Sequence, residues 1–274
     1  MVPVSTVFFC ILTLFVSLIL PLLVLMVFAA RCRKQGIVSA WLLGAAGFFV
    51  TQMLIRLPVL TFLQGQNWFL EFAQNHLFGY AFSLAFTAGL FELAGRFGVA
   101  KAMQKKLTHR RALAAGLGHG GIEAMILIGM TYVNNLIYIV MINSGNFDAM
   151  VAQTAAMGVD VAQLELIRTQ FLTASPLLFA LAGLERLLAM IGHAAMSMVV
   201  CYGVVHRKVL PSLLLCLGIH TLMDLTAGLS LALPQSIAYP IIYAILIVMA
   251  VFSLFVIREI FRRWKKEVSH DSEK

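Results

Sequence analysis

Apolar stretches separated by short polar connections recur along the whole chain. Stretches at 4–30, 37–63, 70–97, 112–142, 174–204, 210–232 and 237–258 are each long enough for a helix to cross a bilayer, which takes about 20 residues. The pattern predicts an all-α, polytopic transmembrane helical bundle of about seven spans. A single integral-membrane domain over 1–274 is expected, with an outer loop at 143–173 and a basic cytoplasmic tail at 258–274. No stretch remains for a separate soluble domain.

Composition agrees with this reading: 61% of residues are hydrophobic and only 12% charged. The few charges orient the spans. Arg31, Arg33 and Lys34 follow the first stretch, and six basic residues from Arg96 to Arg111 follow the third. Arg207 and Lys208 follow the fifth, and Arg258, Arg262, Arg263, Lys265, Lys266 and Lys274 close the chain. The alternate connections hold only Arg168. Basic residues accumulate on the cytoplasmic side, so the N-terminus is expected outside and the C-terminus in the cytoplasm. The location implied is a cell membrane, the bacterial cytoplasmic membrane best matching the loop pattern. The formal charge of +8 is therefore a topology signal with scope for contact with lipid headgroups, not a nucleic-acid footprint. The first stretch lacks a basic leader and is too long for a signal-peptide core, so it reads as a retained helix. Cys10, Cys32, Cys201 and Cys216 all lie in spans or on the cytoplasmic side, and no disulfide is expected.

Ionisable residues inside the apolar stretches change the picture from a generic membrane protein to one with a candidate site, because such residues are costly in hydrocarbon. Glu123, His193 and His220 lie on three different stretches. Each is about eleven residues from the cytoplasmic end of its span, or roughly 17 Å at 1.5 Å per residue. His119 and Glu123 share a helix face, as do His220 and Asp224, being four residues apart. An Asp in that position can accept the second ring N–H of a histidine and fix its orientation. Ser197 lies one turn beyond His193 and is a candidate hydrogen-bond partner for the site. Glu185 and Arg186 lie on the same stretch, either as an ion pair pinning helices or as support for the site. Arg56, with Gln52 on its face, is expected to neutralise Glu185 or Asp224. Glu92 and Arg96 read as an ordinary surface or interhelical pair near the end of the third span. Gly116 and Gly120 have the GxxxG spacing of closely packed helices, with Gly118 and Gly121 adding small surfaces.

A desolvated Glu beside imidazoles can activate water, and the histidines can either ligate a divalent metal such as zinc or donate to an oxyanion. HExxH, GxSxG and GxGD signatures are absent. The segments Gly118-His119-Gly120-Gly121-Ile122-Glu123-Ala124, Glu185 to His193, and His220-Thr221-Leu222-Met223-Asp224 resemble the YhfC family of intramembrane metalloproteases. That family belongs to the wider group of CAAX prenyl proteases and bacteriocin-processing enzymes. The doubled glutamate motif of that wider group is missing, and Glu92-x-x-x-Arg96 carries half of it. Ala189 stands where the FxxxH motif would have Phe.

The resemblance implies an endopeptidase cleaving within or beside the bilayer. Glu123, His193, His220 and Asp224 are the expected catalytic set, and His119, Glu185, Arg186, Ser197 and Arg56 the supporting residues. If a metal is used, Glu123, His193 and His220 are its expected ligands. The partners implied are membrane lipid and a peptide or membrane-protein substrate. Two other readings stay open: a non-catalytic scaffold using the polar residues for packing, and a proton-coupled transporter using them as a relay. The latter lacks the internal repeat and paired interrupted helices usual in transporters.

Overall fold

The computed structural model describes residues 1–271 and contains seven helices long and apolar enough to span a membrane. No strand occurs among the described residues. In chain order the helices are α1 (Val4–Arg31), α2 (Ile37–Gln64), α3 (Asn67–Asn75), α4 (Leu77–Met103), α5 (His109–Ser144), α6 (Asn146–Ala156), α7 (Ala162–Thr173), α8 (Pro176–Val205), α9 (Val209–Ala232) and α10 (Gln235–Asp271).

Three boundaries differ from the sequence expectation. The third stretch does not begin at 70: the backbone leaves helical geometry at His76 (φ −133°, ψ 59°), which makes α3 a separate short helix before α4. The outer loop 143–173 is largely two helices, α6 and α7, bridged by Arg168 and Asp148 at 2.5 Å. The basic segment from 258 is helical as far as Asp271. It continues α10, because nothing breaks the helix: Glu259 pairs with Arg262 and Arg263 at 2.8 and 2.7 Å on the same face, and Ile260 and Trp264 extend its buried stripe. Lys274 lies outside the described residues.

In α1 and α2 an internal proline follows a π-helical segment: Pro21 follows Phe15–Ile19, and Pro58 follows Phe49–Arg56. A proline ring removes a donor and crowds the carbonyl four residues back. The widened π turn makes room for that mismatch and keeps the helix continuous. A third such segment, Met125–Gly129, has no proline, and nothing in the local sequence explains it.

The helices pack as two compact units. The first comprises Met1–Leu22 and Ala124–Leu187. Its core gathers Val2, Cys10, Tyr132, Ile139 and Phe171. Thr13 Oγ1 and Tyr132 Oη both donate to the Phe179 carbonyl, at 2.7 and 2.9 Å. Arg186 donates to Glu185 in this unit.

The second unit comprises Leu23–Glu123 and Leu188–Lys274. Its helices approach until backbones touch, which only small residues permit. A Cβ on Gly118 would lie 2.0 Å from the Trp41 carbonyl oxygen of α2. On the other face of α5, a Cβ on Gly116 would lie 2.7 Å from Ala194 Cα, and one on Gly120 would lie 3.0 Å from His193 Cβ. Gly95 of α4 packs against Gly47 of α2 in the same way, and Gly89 faces His220 and Thr221 of α9. These contacts draw α2, α4, α5, α8 and α9 together around a group of buried polar side chains. All four cysteines are buried free thiols.

Candidate metal centre

Glu92 is the hub of that group. Its Oε2 accepts from His119 Nε2 at 3.0 Å, His220 Nε2 at 2.7 Å and Arg96 Nη2 at 3.0 Å. Its Oε1 accepts from Gln52 Nε2 at 2.9 Å, and that amide also donates to the Ala88 carbonyl. One carboxylate thus joins side chains from α2, α4, α5 and α9. Of the two readings of Glu92 and Arg96, a surface pair is corrected here: both are buried, and both reach side chains of other helices.

His193 supplies the contribution of α8. Its Nε2 lies 2.8 Å from Glu123 Oε2, and its Nδ1 accepts from Arg96 Nη2. The ring stacks over His119 at 5.4 Å between centroids and meets the edge of His220 at 5.5 Å. The expected convergence of Glu123, His193 and His220 from separate spans is therefore present. It has a further carboxylate, Glu92, at its centre. Asp224 Oδ2 stands 3.3 Å from His220 Nδ1, the spacing read from the sequence as orienting that ring.

The other expected supporting residues fall in several places. His119 belongs to the cluster itself, donating to Glu92, with its ring against Phe48. Ser197 lines a small void of about 10 Å³ together with Arg96 and His119, close to the space that one water molecule fills. Arg56 is not committed to a carboxylate ion pair. Its guanidinium donates to the Leu84 carbonyl at 2.7 Å and to Gln52 Oε1 at 3.3 Å, which steadies the amide that holds Glu92. Glu185 and Arg186 belong to the first unit, described above.

The donor set suits a divalent metal. One ligand atom each from Glu92, His119, Glu123 and His193 lies within 4.8 Å of the others, and all four residues are buried. Two imidazoles and two carboxylates are the ligand types that zinc and neighbouring first-row ions take. Gln52 follows the usual logic of outer partners at such sites by fixing the Glu92 carboxylate. Relative to the ligands expected from sequence, Glu123 and His193 are in this group, Glu92 and His119 join it, and His220 reaches it through Glu92.

A buried constellation of glutamates and histidines inside a seven-span helical protein defines a membrane protein with a candidate intramembrane metal centre. The chain belongs to the YhfC intramembrane metalloprotease family, whose model matches residues 13–250. It is 29% identical over 235 residues to a protein of Bacillus subtilis (strain 168) described as the uncharacterized membrane protein YhfC, covering 84% of this chain and 89% of that one. No solved structure matches.

Proposed function

We propose that this protein is an intramembrane endopeptidase that hydrolyses a peptide bond within or beside the bilayer. The observation that carries the reading is the cluster of four buried ligand groups within 4.8 Å, at the centre of a helical unit otherwise packed with apolar side chains. Such a cluster is expensive in a membrane and serves no packing need that apolar residues would not meet better.

In this reading His119, His193 and Glu92 would hold a divalent metal, which would supply Lewis-acid chemistry. Glu123 acts as the general base. It is the most exposed member of the ligand cluster, at 8% against 4% for Glu92, and is the carboxylate assigned to the attacking water. It takes a proton from the attacking water and passes it to the departing amine. His220, with Nδ1 facing Asp224, donates its Nε2–H to Glu92 and orients that carboxylate. The substrate is a peptide or membrane protein that enters through lipid.

The test is made with purified protein in proteoliposomes carrying candidate membrane-embedded peptides. Glu123→Gln and His220→Ala should each lower cleavage by about 100-fold or more while the purified variants remain folded. Removal of metal by a chelator should abolish turnover, and zinc should restore it. Undiminished turnover in both variants ends the proposal. A loss of stability, with no cleavage by any form, favours the scaffold reading.

A further inference from the structure

Arg96 sits where a metal centre ought to repel it. Its Nη2 donates both to Glu92 Oε2 and to His193 Nδ1, so a permanent positive charge lies on two members of the ligand cluster. Resting on the metal reading above, we propose that Arg96 is a built-in competitor of the metal: its guanidinium holds two of the side chains that would ligate the ion and must release them for the ion to bind.

Two arguments lead there. The first is electrostatic. A guanidinium within hydrogen-bond distance of Glu92 and His193 opposes any divalent ion held by the same side chains, and the buried setting screens that repulsion poorly. The second is donor and acceptor accounting. Guanidinium nitrogens only donate, so the lone pair of His193 Nδ1 is occupied. In a neutral imidazole the other nitrogen, His193 Nε2, then carries the ring proton; it lies 2.8 Å from Glu123 Oε2 but outside hydrogen-bond geometry. A ring so arranged offers no lone pair toward the metal position. Release by Arg96 frees Nδ1 to take the proton and Nε2 to ligate.

The surroundings of Arg96 are consistent with a side chain that can change partners. Its Nε is buried and makes no hydrogen bond, so the guanidinium is anchored at one end only. Glu92 holds a second anchor, Gln52, and would stay in place when the arginine leaves.

The inference has an unusual sign. Altering a buried residue that touches metal ligands ordinarily weakens binding, whereas neutralising Arg96 should strengthen it. Zinc affinity is measured by competition with a chromophoric chelator, using the purified full-length protein in detergent. Arg96→Met and Arg96→Gln should bind zinc at least about tenfold more tightly than the wild type, the size of effect typical of groups that touch metal ligands. Arg96→Gln keeps an amide donor for Glu92 and serves where the apolar variant does not fold. In wild-type protein labelled with 15N-arginine, zinc should shift one buried guanidinium signal. Equal or weaker affinity in a folded variant overturns the inference while leaving the metal reading intact, as does bound zinc with every guanidinium signal unmoved. Absence of zinc binding in all three proteins overturns the inference together with the metal reading.

Discussion

At the scale of single residues, Glu92 decides whether the buried cluster holds together. It is the ionised partner of Arg96 and accepts from two histidines and one amide. Glu92→Gln keeps the shape but removes the charge, leaving a buried guanidinium without an anionic hydrogen-bond partner. Breaking a buried pair from one side costs about 3–5 kcal/mol. The variant should therefore melt well below the wild type in detergent, whereas Glu259→Gln, which disrupts exposed pairs on α10, should change the melting point little. Similar melting for both would mean that Glu92 carries no such burden. The sequence hid Glu92 for a specific reason. With the third span ended at 97, Glu92 lay close to the basic connection and resembled a solvated pair with Arg96. The helix in fact runs to Met103, which puts Glu92 about eleven residues from its end, the same roughly 17 Å that singled out Glu123, His193 and His220. Those three were legible because their spans contain few competing charges. His119 was legible as a neighbour of Glu123, but its partner on α4 was not, since spacing along one helix says nothing about what faces it.

At the scale of elements, the glycines of α5 set how close the site-bearing helices stand. Gly118→Ala would drive a methyl group into the Trp41 carbonyl, a backbone atom that cannot rotate away. Such overpacking costs about 1–3 kcal/mol and pushes α5 from α2. Gly98→Ala on α4 meets nothing within 4 Å and should be neutral or stabilising by up to about 1 kcal/mol through helix propensity. Thermal unfolding of the two variants checks the contrast, and equal effects would mean that the close approach at Gly118 is dispensable. The GxxxG spacing in the sequence announced a tight contact but not its address. Gly116 and Gly120 meet α8 at Ala194 and His193, while Gly118 meets α2, so one short segment serves two neighbours on opposite faces. The break before α4 and the helical continuation of α10 were missed because apolarity marks what enters the membrane, whereas caps and ion pairs decide where a helix stops.

At the scale of the whole molecule, the seven spans and the charge pattern make one topology testable. An odd number of crossings puts the termini on opposite sides. The connections after α1, α4 and α8, together with the end of α10, carry nearly all the basic residues, whereas the segment from α6 to α7 has only Arg168. Retention of arginine and lysine on the cytoplasmic side predicts an outward N-terminus and puts α6 and α7 outside. Alkaline phosphatase, active only outside the cytoplasm, should be active when fused within 157–161 and inactive at the C-terminus, and a fluorescent protein at the C-terminus should glow. Single cysteines in the α6–α7 connection should react with an impermeant maleimide in intact cells, while the buried native thiols stay unlabelled. The reverse pattern would invert the molecule and place Glu92, Glu123, His193 and His220 at their common depth from the opposite face.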